Sequence, residues 1–278
     1  MKRRNFLGAA CASLLGNSSA HAGVFPWSFS VKAERTPLLI AGSPTMFNLN
    51  LALVAAFSTQ HPLVDAVVEK GGSLPALIAL KRGALDVAAL ERDLSVAEDD
   101  LLTRNFLIAR NNIAIIVNAR SPLSSLSREQ VRALLTGAIT NWKQLGGPDA
   151  TVRLISRTRG STSRQFVEEV VLGGDDIAVN ARDVETSRQL SEQVAADPYA
   201  VGYLSLKDRN DVSGIVQLGV DGVIATRESV LSGRYPYTQS LHMVLYGERH
   251  PVAAEFVAFA RSAAGQKIVA QQGLVPVR

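Results

Sequence analysis

Short apolar runs alternate with helix-period segments along most of this chain, and that alternation restricts it to an α/β fold with open sheets. Leu38-Leu39-Ile40-Ala41 predicts a strand, and Leu49, Leu53 and Phe57 form the apolar stripe of a helix behind it. Val67-Val68-Glu69 predicts a second strand. Ser73 then caps a helix carrying Leu77, Ile78 and Leu80, which Gly83 ends. Asp86-Val87-Ala88-Ala89 is a third strand, and the fully apolar run 113–117 suits the centre of a sheet. Ser127-Arg128-Glu129-Gln130 and Thr186-Ser187-Arg188-Gln189 are capping boxes. Further strands are predicted at 152–155, 202–204, 215–218 and 241–246, and a helix from about Thr162 buries Phe166, Val167 and Val170. Two helices close the chain, the first opened by Pro251.

The amino terminus has the character of a targeting segment. Lys2, Arg3 and Arg4 precede a short apolar stretch, and Ala20-His21-Ala22 offers the small-x-small pattern of a cleavage site. A cleaved signal peptide over residues 1–22 is therefore expected, with the adjacent arginines pointing to the twin-arginine route. Cleavage would lower the formal charge from +4 to +1, so the basic balance is partly a property of the signal and argues little for nucleic acid. Cys11, the single cysteine, would leave with it, so no disulfide and no cysteine metal site is expected. No later stretch is apolar for long enough to span a bilayer.

In open α/β sheets ligands bind where strands end and helices begin. Three such junctions are rich in small and hydroxyl residues: Gly42-Ser43-Pro44-Thr45-Met46, Gly71-Gly72-Ser73, and the run from Ser156 and Arg157 through Gly160, Ser161, Thr162 and Ser163 to Arg164. Free amides at a helix start, hydroxyl donors and a guanidinium fork all suit an oxyanion. One such junction is ordinarily only a cap; three in one chain point to an anion site. Other residues carry less. His61, His242 and His250 are too scattered for a metal set, so no cofactor or metal is expected. Glu91 and Asp93 lack a recognisable nucleophile beside them, Ser161 lacks the second glycine of a hydrolase elbow, and Trp142 suits packing beneath its loop. No aromatic residues interleave the basic ones in the manner of a nucleic-acid surface.

These motifs, in this order and spacing, resemble the phosphate-binding proteins of phosphate ABC importers, from about Leu38 to Val277. The three junctions look like that family's three phosphate loops. The run from Thr136 to Trp142, Ser232-Gly233-Arg234-Tyr235-Pro236, and the tail from Gly265 to Pro276 match its structural signatures. The resemblance implies a type II periplasmic-binding-protein fold, with lobe I at 36–118 plus 221–278 and lobe II at 119–220, and two crossovers that act as a hinge. It implies a periplasmic, monomeric, non-enzymatic receptor that passes inorganic phosphate to the permease of an ABC importer. The implied ligand residues are Ser43, Thr45, Met46, Gly72, Ser73, Arg92, Arg157, Ser161, Thr162 and Ser163. The chain departs from the pattern at Pro44 and Met46, at Ser161-Thr162-Ser163, and at Glu91-Arg92-Asp93. Phosphate near neutral pH keeps a proton, so Glu91 or Asp93 could accept it and exclude sulfate; Arg92 could meet the anion or only Glu91. The last departure leaves another oxyanion (sulfate, molybdate, arsenate) open; a receptor for a membrane signalling partner and an exported phosphatase are the other rivals.

Overall fold

Alternation at period two sets the first strand: in β1 (Thr36–Gly42) Leu38 and Ile40 are buried while Pro37 and Leu39 are exposed. The computed structural model describes residues 35–206, 212–248 and 250–277; the expected signal segment, with Arg3, Arg4 and Cys11, lies outside them. After β1 come α1 (Pro44–Gln60), β2 (Val64–Lys70), α2 (Ser73–Lys81), β3 (Val87–Leu90) and β4 (Thr103–Asn112). Then follow β5 (Ala114–Asn118), β6 (Ser125–Leu126), α3 (Arg128–Leu135), a 3-10 turn at Trp142–Leu145 and β7 (Arg153–Arg157). The chain continues with α4 (Thr162–Phe166), which runs into a π-turn at Val167–Val171, then β8 (Arg182–Val184), α5 (Ser187–Ala196), β9 (Ala200–Leu204), β10 (Ile215–Gln217), β11 (Gly219–Val220) and α6 (Arg227–Leu231). It closes with β12 (Thr238–Tyr246), α7 (Pro251–Arg261), α8 (Ala263–Gln271) and β13 (Val275–Pro276).

Two mixed sheets organise these elements. The first has the order β13-β4-β12-β3-β1-β2, and the second β10-β5-β9-β7-β8; β6 and β11 form a small pair. In the first sheet β1 runs parallel to both β2 and β3, so the carboxyl ends of all three share one edge. Leu49, Leu53 and Phe57 of α1 are buried as the stripe predicted, beside Met46 and against Phe256 of α7. The rings of Phe57 and Phe256 meet edge to face with centroids 5.4 Å apart. Each such buried side chain contributes about 1.5–3 kcal/mol of transfer free energy. The second core gathers Ile115, Val131, Leu134, Trp142 and Tyr203. Trp142 packs under its loop as expected, donating its indole N–H to the Tyr199 carbonyl at 2.9 Å.

The crossovers differ from the expected positions. The apolar run 113–117 was assigned to lobe I, but β5 lies inside the second sheet, between β10 and β9. Likewise Ala225, Val230, Tyr235 and Tyr237 pack into the second core rather than the first. The chain therefore passes between sheets just after Asn112 and just before Thr238, where Ile113 N–H bonds the Tyr237 carbonyl at 3.3 Å. An all-apolar strand suits the middle of either sheet, so its pattern could not choose. The pattern of β4 does not announce a strand, because charged and amide residues interrupt its alternation.

Candidate anion-binding site

The shared strand edge of the first sheet assembles two of the predicted loops. Gly42 ends β1 against β3 so closely that a Cβ there would lie 1.9 Å from the Ala89 carbonyl oxygen. Its own carbonyl accepts from Gly71 N–H at 2.9 Å and Gly72 N–H at 3.0 Å, which joins the first loop to the second. Gly72 makes that turn at φ 80°, in the left-handed region glycine favours, and α2 begins at the next residue. Ser43 N–H donates to Ala89 O at 2.8 Å, and its side-chain oxygen accepts from Thr45 N–H at 3.0 Å, capping α1 with Pro44 in its first turn. The Ser43 hydroxyl donates to the Glu91 carboxylate, and Glu91 N–H in turn donates to the Ser73 hydroxyl at 3.3 Å. Ser43, Ser73 and Glu91 thus form one bonded cluster at the ends of β1, β2 and β3.

The second sheet supplies the third loop. Tyr203 fixes the end of β7: its hydroxyl lies 2.9 Å from that of Ser156 and accepts from Arg157 N–H at 3.0 Å. Ser161 caps α4 by accepting from Arg164 N–H at 3.2 Å. The buried Arg164 guanidinium then ties the loop together. It pairs with Glu168 at 2.7 Å and Asp183 at 2.9 Å, and donates to the Arg157 carbonyl at 2.9 Å. These two carboxylates hold its pKa above the usual arginine value despite the opposing effect of burial.

Loops from the two sheets meet at a cavity of about 180 Å³ lined by Thr45 and Asn48 on one side, Thr162, Ser163 and Phe166 on the other, and Asn111 between. A family model of the PBP superfamily domain matches residues 28–264. The phosphate-binding protein PstS of Bacillus subtilis is 30% identical over 245 residues, covering 86% of this chain and 80% of that one. The chain belongs to the PstS family of phosphate-binding proteins. Two solved structures share its fold. An ABC-type phosphate transport receptor from Vibrio cholerae is 25% identical with a TM-score of 0.74, covering 86% of this chain and 99% of that one. PstS from Borrelia burgdorferi is 22% identical with a TM-score of 0.76, covering 88% and 100%. The predicted fold class, a type II periplasmic-binding-protein fold, is the one observed.

Within this PstS-family chain the remaining predicted residues are placed less uniformly. The Met46 side chain is fully buried in the first core, and its amide bonds the Ser43 carbonyl, so the side chain supports the loop from beneath. Arg92 forms a two-point pair with Glu98, at 2.7 Å on both nitrogens, rather than with Glu91. Those bonds, joined by Ser95 N–H, hold the Glu98 carboxyl down to about 2. Asp93 meets His242 at 2.8 Å. Burial, together with the charge of Arg110, holds the His242 pKa below its usual value against the opposing pull of Asp93. Arg157 donates to the Ser187 hydroxyl at 2.8 Å and the Glu185 carbonyl at 2.7 Å, and its Nε is buried without an acceptor. Glu169, not foreseen, carries a carboxyl raised above the usual range by partial burial and by the negative charge of Glu91. Asn48, Arg110 and Asn111 were also missed. Their signal was available: Arg110-Asn111-Asn112 is a polar run set between two apolar ones.

Proposed function

We propose that this chain is the extracytoplasmic receptor of an ABC importer, that it captures inorganic phosphate between two lobes, and that it hands the anion to the permease without altering it. The observation that carries the reading is the shared cavity, lined by Thr45 from the loop of one sheet and by Thr162 and Ser163 from the loop of the other. An anion held by both sets of donors favours the closed arrangement, since no other arrangement offers it all of them. The relatives support phosphate as the anion, being phosphate-binding proteins by name.

Glu91 deepens this reading toward selectivity. Of the two acids expected as proton acceptor, Asp93 is engaged by His242, whereas Glu91 touches Ser43 at the first loop. A carboxylate facing fully ionised sulfate sets two acceptors and two like charges against each other, while protonated phosphate donates to it. Calorimetric titration with phosphate, sulfate, arsenate and molybdate tests both claims. Phosphate is expected to bind tightest, and Glu91→Gln is expected to narrow its preference over sulfate by roughly tenfold or more, chiefly by admitting sulfate. Tighter binding of molybdate or sulfate by the unaltered protein would assign the receptor to that anion instead.

Export by the twin-arginine route is proposed from Arg3-Arg4, with cleavage after Ala22. The Arg3→Lys, Arg4→Lys double variant is expected to stay in the cytoplasm, because that route reads the arginine pair rather than its charge. Undiminished export of the double variant would leave a general secretory signal as the explanation.

A further inference from the structure

We infer that Arg110 is the guanidinium with which the first sheet faces the bound anion, in the place expected of Arg92. This rests on the anion-receptor reading above. Arg110 stands beyond the end of β3. In the β4–β12 ladder it lies opposite Ser240, while two residues further along β12, His242 lies opposite Leu90, the last residue of β3. Its side chain opens into a recess of about 530 Å³ that Glu91, Arg92 and Asp93 also line, together with Val170 from the other sheet's loop. Glu91 connects this recess to the anion loops through its bond with the Ser43 hydroxyl.

The charges of the recess single Arg110 out. Arg92 is satisfied by Glu98 at both terminal nitrogens, and Asp93 is taken by His242. Arg110 donates Nη1 to the Ser240 hydroxyl, its Nε is buried without an acceptor, and among the described residues it forms no ion pair. A half-buried guanidinium that closes no ion pair is costly to keep. The folded protein tolerates this at the margin of an anion cleft, where a bound tetrahedral anion provides the missing charge and acceptors. A brace between β4 and β12 would need only a neutral donor to Ser240. The guanidinium goes beyond that need, and the residue lines the recess that Glu91 shares.

Phosphate titration of the full mature chain at about 0.03 M and about 0.3 M salt tests the assignment. Arg110→Gln is expected to weaken phosphate binding at least about tenfold and to flatten its salt dependence, while Arg110→Lys recovers much of the loss. Arg92→Gln is expected to change affinity by less than about threefold, since Glu98 already holds that charge. Should the glutamine variant fail to fold, Ser240→Asp gives Arg110 an internal carboxylate and is expected to weaken binding to a similar degree. Wild-type affinity in Arg110→Gln or Ser240→Asp, or an equal loss in Arg92→Gln, would overturn the assignment. Absence of binding by the unaltered protein would instead overturn the receptor reading on which it rests.

Discussion

Gly42→Ala should cost the fold about 3 kcal/mol or more, lowering the melting temperature by roughly 10 °C. The methyl group would sit 1.9 Å from the Ala89 carbonyl oxygen and 2.8 Å from its nitrogen, and both are backbone atoms of the adjacent strand. No side-chain rotation can relieve that contact, so β1 and β3 must move apart. The movement would strain the bond from Ser43 N–H to Ala89 O and the pair of bonds that the Gly42 carbonyl accepts from Gly71 and Gly72. Both hydroxyl-rich loops of the first sheet depend on these bonds, so phosphate affinity is expected to fall together with stability. Gly71→Ala is the control, because a Cβ there meets nothing within 4 Å. Urea and thermal melts of the two variants decide the matter. Equal stability losses at positions 42 and 71 would mean that the close strand approach is not what requires glycine.

Arg157→Ala is expected to remove at least about thirtyfold of phosphate affinity, corresponding to roughly 2–5 kcal/mol for a charged, forked contact. Arg157 ends β7 at the mouth of the third loop, and two hydrogen bonds fix its side chain. Its two terminal nitrogens hold Ser187 and the Glu185 carbonyl, and its Nε remains buried without an acceptor. Those bonds leave the guanidinium preoriented, with N–H groups still free for an anion, so little ordering is needed on binding. Arg157→Lys keeps the charge but loses the fork, and should recover only part of the affinity. A melting curve recorded beside each titration separates loss of the site from loss of the fold. An alanine variant that titrates phosphate like the wild type would remove Arg157 from the binding machinery and leave it as a clamp on the turn before α5.

Local order was legible wherever a short-range rule applied. Ser127 with Gln130 and Thr186 with Gln189 form the capping boxes their spacing announced. The stripe of α1 faces the core, and the three hydroxyl-rich junctions all sit at strand ends, because period and cap chemistry act over one helical turn or one strand. The direction of the Met46 side chain was not legible for a related reason. Its amide belongs to the loop, but its side chain continues the stripe of Leu49 and Leu53 into the core. A loop motif says which residues approach a ligand and not which way each side chain turns.

By itself the sequence determined an alternating α/β chain, three hydroxyl-rich junctions at strand ends, and the resemblance to a family. Tertiary structure alone decided the partners. It gave Arg92 to Glu98, Asp93 to His242 and Arg157 to Glu185 and Ser187, put β5 in the second sheet, and left Arg110 with Ser240 and, among the described residues, no ion pair. The reason is physical. Helix periods and caps join neighbours along the chain, whereas a guanidinium can reach any acid or carbonyl within a few ångströms in space. Several equivalent partners were available to each charge, and only the packing of the two sheets brought one of them close.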